Sequence, residues 1–125
     1  MQKNEVESVV GKINEFLIKQ MWMDFEVTQY KDYELLITGS LDSTTTISDI
    51  EISFQEVFLV SLPFSWQTDT SQVAFMLLSD TEAKEINRRF KIEQGNYIFK
   101  FIPEDYPSDF GCYVASKSIS MRINK

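Results

Sequence analysis

The spacing of the apolar residues changes once, early in the chain, and that change limits the fold more than any other feature. Before Met21, the apolar residues Val6, Val9, Val10, Ile13, Phe16 and Leu17 recur at the i, i+3, i+4, i+7 spacing that lines one face of a helix. After Met21-Trp22-Met23 the period falls to two, which is that of a strand with one buried face. A chain that switches in this way and then stays β over long segments folds as helix plus sheet. Regular βαβ units are excluded, because short turns separate the strands.

The helix is expected from about residue 4 to 20. Asn4-x-x-Glu7 has the form of a capping box, Glu5 and Glu7 lie near the positive end of the helix and Lys19 near its negative end. Gly11 costs the helix about 1 kcal/mol without ending it. Phe25, Val27 and Tyr30 then alternate with polar residues, a turn falls at Lys31-Asp32, and Tyr33 to Thr38 completes a hairpin. Past Gly39, Ser40 to Thr45 is a polar loop. Ile50, Ile52 and Phe54 alternate with Asp49, Glu51 and Ser53. At Gln55-Glu56 the alternation slips, and it resumes as Val57-Phe58-Leu59-Val60. A slip of one residue turns every later side chain to the other face, so a β-bulge or a bend belongs there.

Pro63 to Thr70 reads as a loop and Gln72 to Leu78 as a strand. Ser79-x-x-Glu82 is a second capping-box pattern, opening a short helix at about 80–90 with Ala83, Ile86 and Phe90 on one side. After the turn at Gln94-Gly95-Asn96, Tyr97, Phe99 and Phe101 mark a strand. The loop Pro103 to Gly111 leads from it to a last β segment, Cys112 to Ile123. With no repeat and no Pro/Gly-rich linker, one domain is expected over 1–125, β-rich at 25–79 and again at 96–123. The fold class is α+β: a mostly antiparallel, curved β-sheet with an N-terminal helix and a second short helix.

Residue chemistry narrows the function. The chain has no histidine, which removes Ser-His and Cys-His nucleophile pairs, His-ligated zinc and the commonest general base. One cysteine, Cys112, makes neither an internal disulfide nor a thiolate zinc site, and its place at the start of an apolar strand reads as core. The four glycines are scattered singly, so no phosphate loop exists. Glu104, Asp105 and Asp109 share a loop, but their spacing is not that of a calcium-binding EF-hand, and a solvated turn is the plainer reading. No enzyme, cofactor or metal is expected.

Lys84, Arg88, Arg89 and Lys91 form a basic cluster. In an acidic chain this is too small a footprint for nucleic acid, and pairing of Glu85 with Arg88 or Arg89 accounts for it. Tyr97, Phe99 and Phe101 could stack bases, but without a basic groove they read as core. The polar start and the short apolar run Val57–Val60, broken by Ser61 and Pro63, argue against a secretory leader and a membrane span. The lone cysteine fits a reducing compartment, and the cytoplasm is the expected location.

Charge is more telling in its distribution than in its sum. The net charge is −7, from 12 bases and 19 acids. Residues 32–83 contain no Lys or Arg and nine acids. Solubility alone accounts for an acidic surface. A functional reading is that Asp42, Asp49, Glu51, Glu56 and Asp69 present a negative face to a basic protein partner. Phe64, Trp66 and Trp22 would then be anchors, each in or beside an expected loop and of a type that dominates interface energetics.

Two stretches, DIEISFQEVFLVSLPFSW and YIFKFIPEDYPSDFGCYVASKSISM, carry a further clue in the F-x-x-E-D run at Phe101–Asp105 and the V-A-S-K-S-I run at Val114–Ile119. Over roughly residues 33 to 121 the chain resembles small acidic bacterial immunity-type proteins of toxin/immunity systems. The resemblance implies a small noncatalytic cytosolic protein that binds a toxin domain and blocks its active site, often a basic one that handles nucleic acid. It transfers no functional residue. Two other readings stay open on the residues alone. One is a small-molecule or lipid binder using the interior of a curved sheet. The other is a homo-oligomeric component, such as a homodimer, whose apolar run Val57 to Leu62 pairs edge to edge between subunits.

Overall fold

The computed structural model describes residues 1–42, 47–107 and 109–124, so three positions of the expected Ser40–Thr45 loop lie outside the described residues. Helix α1 (Lys3–Leu17) is followed by strands β1 (Met23–Lys31), β2 (Glu34–Ser40), β3 (Ile50–Ser61), β4 (Ser65–Thr68) and β5 (Phe75–Leu77). Helix α2 (Asp80–Phe90) and strands β6 (Tyr97–Phe101) and β7 (Cys112–Ile123) complete the chain. The strands form one antiparallel sheet in the order β4-β1-β2-β3-β7-β6-β5, curled into a half-barrel. The fold is α+β, with the curved antiparallel sheet and two helices that the change of period predicts.

Helix α1 buries Val6, Val10, Ile13 and Leu17 against the inside of the curl. It starts one residue earlier than expected: the Gln2 N–H donates to the Glu5 carboxylate at 2.8 Å, so the box forms at Gln2 and Glu5 rather than at Asn4 and Glu7. It also stops short of residue 20. The Lys19 and Gln20 N–H groups bond back only three residues, to Phe16 and Leu17, tightening the chain into a turn that leaves Ile18 and Met21 exposed. Helix α2 is capped where the sequence predicts, with the Ser79 hydroxyl accepting from the Glu82 N–H. It ends at Lys91, which sits in the left-handed region (φ 54°).

The curl is packed solid. Phe25, Phe54, Phe75, Phe99, Phe101 and Trp66 fill its interior with ring centroids 4.6–6.3 Å apart. Its open side is drawn together by the segment after β6. The Thr68 hydroxyl and the Gln67 carbonyl of β4 bond the Ile102 carbonyl and the Glu104 N–H, and Ile102 N–H reaches the Ala74 carbonyl. On the opposite face a second cluster joins Ile98, Tyr113 and Ala115 to Ile86 and Phe90 of α2. Strand β6 and the first half of β7, Cys112 to Ser116, are thus buried on both faces, while β1 and β2 keep one face wet.

Three local features depart from the sequence reading. The β1–β2 turn is Asp32-Tyr33, one residue later than expected, and both residues have positive φ (53° and 65°), the two-residue hairpin of type I′. Strand β4 lies inside the expected Pro63–Thr70 loop. Ser65-Trp66-Gln67-Thr68 has one apolar residue, but it pairs with β1 through Phe25 and Trp66, and Trp66 and Thr68 turn inward. Strand β5 is only three residues long, because Gln72 and Val73 stay exposed.

Candidate interaction surface

Strand β3 carries the site. Ile50, Ile52 and Phe54 face the core; then Glu56 adopts φ 52°, and β3 gains a residue against β7 between Val57 and Leu59. These two irregularities realise the slip read at Gln55-Glu56. Val57 returns to the core inside the curl, while Leu59 packs with the α2 cluster on the opposite face. With both faces of this stretch apolar, Phe58 and Val60 are left at about 40% exposure. The chain then runs through Leu62, Pro63 and Phe64 into β4, fastened by a bond from the Val27 N–H to the Phe64 carbonyl at 2.8 Å.

Between this connection and the β1–β2 hairpin lies an open groove of about 350 Å³. Val27, Leu35 and Val57 are its floor, and Phe58, Val60 and Leu62 form one wall. Phe64 stands on its rim with 87% of its surface exposed, beside the exposed Tyr30. Single exposed apolar residues are ordinary, whereas this many gathered on one concave site form an apolar patch of the kind interaction sites have. The hairpin tip borders it: the Val57 N–H donates to the Tyr33 carbonyl at 2.9 Å, and Tyr33 is exposed. Asp32, Tyr33 and Glu56 all hold strained left-handed backbone, and all three lie at this end. Asp32, Glu34 and Glu56 are exposed carboxylates close in the chain to Tyr30, Leu35 and Val57 of the groove, and Asp32 and Glu34 themselves line a neighbouring concavity with Lys31 and Glu51.

The residues expected to bind a partner divide between two ends of the sheet. Glu56 and Phe64 belong to the groove. Asp42, Asp49 and Asp69 lie at the opposite end, where Met23 pairs with Thr68 and Gly39 with Ile50, while Glu51 lines a concavity with Lys31, Asp32 and Glu34 of the hairpin. Most of these acids hold the fold together. Glu51 accepts from Asn124 at 2.9 Å and pairs with Arg122 at 2.6 Å. The Asn124 hydrogen bond, then the Arg122 guanidinium, holds its carboxyl below the usual glutamate range. Asp49 accepts from the Leu41 N–H at 2.8 Å. Asp69 accepts from the Ser71 hydroxyl and N–H, closing an Asx-turn that lowers its pKa. Asp42 is exposed at the start of the loop.

Trp66 corrects the set of anchors. It is only 5% exposed and stacks on Phe25 at 5.6 Å, because pairing with β1 turns Trp66 inward, while Phe64 precedes β4 and is exposed. Trp22 is half-buried just before β1. Tyr30, Tyr33, Phe58 and Val60 were missing from the expected set. The run Val57–Val60 signalled Phe58 and Val60, since four apolar residues in succession cannot all face one core.

A larger concavity of about 450 Å³ lies over β4, β1 and β2, but Asp24, Glu26, Ser40 and Gln67 line it at strand spacing as a wet sheet face. Cys112 is buried in the core, and burial pushes its thiol up. In the basic cluster, Arg88 pairs with Glu85 at 3.7 Å and Arg89 lies over the Phe90 ring. Among the described residues, no group of three or more acids and cysteines is placed to hold a metal ion, and no helix is long and apolar enough to cross a membrane. Compared with protein-family models, with curated proteins and with solved structures, the chain matches none.

Proposed function

We propose that the chain is a non-enzymatic protein-binding module of the immunity or inhibitor type, which neutralises a basic toxin partner by docking it on the β3 groove. One observation carries this: Phe58, Val60, Tyr30 and Phe64 are exposed together around a concave apolar floor, with the exposed Asp32, Glu34 and Glu56 close by in the chain. Aromatic anchors in a groove supply binding energy, and a one-signed border supplies encounter rate and selectivity. The missing histidine and the buried, protonated Cys112 favour binding over catalysis. The filled interior of the curl favours a protein over a small molecule or lipid held inside the sheet.

Selecting binders to the immobilised chain from a displayed library of its own organism's protein fragments tests this. The selected partner should be basic, and its affinity should fall about tenfold or more when salt is raised from about 0.05 M to about 0.5 M. The double substitution Phe58→Ser/Phe64→Ser should weaken it by about tenfold or more as well. A partner indifferent to both changes contradicts the proposal.

A further inference from the structure

The strand that walls the groove has one paired edge and one open edge. From Ile50 to Phe54, β3 lies between β2 and β7. Beyond the bulge, Leu59, Val60 and Ser61 still pair with Ala115, Val114 and Tyr113 of β7. On the other side the last backbone bond runs from the Val57 N–H to the Tyr33 carbonyl. Among the described residues no strand lies against that side of Phe58–Ser61. At about 3.3 Å per residue these four residues leave an edge about 13 Å long. Such edges are usually blunted by Lys, Pro or a charge pointing along the strand. Phe58-Leu59-Val60-Ser61 carries none of these.

Two occupants fit an open edge, a second copy and a foreign strand, and charge decides between them. Pairing two copies edge to edge would bring Asp32, Glu34 and Glu56 of both into one rim, on chains that each carry −7. Like charges set against each other at an interface repel and select against that pairing. A basic strand meets the same rim with the opposite sign. We propose that the open edge of Phe58–Ser61 takes a β-strand from the partner protein, an extended segment in which apolar residues alternate with Lys or Arg. Its backbone pairs with β3, its apolar side chains enter the groove beside Phe64, and its cations, on the other face, reach Asp32, Glu34 and Glu56. This rests on the protein-binding reading and specifies how that binding is made.

Three synthetic peptides of about ten residues test it with the whole ¹⁵N-labelled chain: one alternating Val and Lys, one alternating Val and Glu, and the Val-Lys peptide N-methylated at every second residue. N-methylation removes backbone donors while keeping side chains and charge. The Val-Lys peptide should slow amide exchange at one or more of Phe58–Ser61 by about tenfold or more, and bind about tenfold more tightly than either control. Equal binding by the N-methylated peptide, unchanged exchange at Phe58–Ser61, or no binding by any peptide overturns strand addition. The protein-binding reading stands or falls separately, on whether the selected partner responds to Phe58→Ser/Phe64→Ser.

Discussion

Phe101 meets the rings of Phe75, Trp66, Phe25 and Phe54 at 4.6, 5.1, 5.6 and 6.3 Å, so its loss opens the centre of the core. Phe101→Ala should lower unfolding free energy by about 3–5 kcal/mol in urea denaturation. Phe64→Ser, at an exposed position, should change it by no more than about 0.5 kcal/mol. Glu51 makes a pH-dependent contribution. Its folded pKa is lowered, so the stabilisation is present above the ordinary glutamate value of 4.5 and is lost as pH falls through the lower folded value. Arg122 is largely exposed, which limits the effect. Glu51→Gln should cost up to about 1 kcal/mol near pH 7 and almost nothing near pH 2, measured by urea denaturation at both. At this scale the sequence was only partly legible. Phe64 and Trp66 are both aromatic and two apart; that only Trp66 is buried depends on β4 starting at Ser65 and pairing with β1, a contact some forty residues distant in the chain.

Among the elements, the break in β3 was written in the sequence, because Phe54 and Val57 cannot share a face unless the alternation fails between them, though the inserted residue falls later, between Val57 and Leu59. Its local geometry was not. Glu56 holds φ 52°, which glycine adopts freely and a β-branched residue resists. Glu56→Gly should therefore be neutral within about 1 kcal/mol, while Glu56→Val should lose about 1–2 kcal/mol beyond that, by thermal or urea unfolding. The second helix was legible because Ser79 and Glu82 settle its start locally. The start of α1 shifted because Gln2 and Glu5 supplied an equivalent box within reach of Asn4 and Glu7. Strand β4 was illegible for the opposite reason: Ser65-Trp66-Gln67-Thr68 has almost no pattern of its own, and Phe25 and Ile102 hold it from outside.

Over the whole molecule, the change of period announced the sheet and the helix that packs inside it, and the fold class follows from local spacing. The site does not follow in that way. The groove exists because β3 outruns β2 beyond Tyr33, and relative strand length is a property of pairing. The base-free stretch of residues 32–83 builds β2 to β5, and pairing then sends its carboxylates to two ends of the sheet. At one end Asp49 and Asp69 brace loops; at the other Asp32, Glu34 and Glu56 lie near exposed aromatics, and Glu51 shares a concavity with Asp32 and Glu34. Binding is therefore proposed at the groove end and not on an acidic face as a whole. Hydrogen–deuterium exchange of the chain, alone and with its selected protein partner, separates the two most directly. Protection gathered in residues 30–34 and 56–64 is the predicted result. Protection confined to the Asp42, Asp49 and Asp69 end, with 56–64 unchanged, would contradict it.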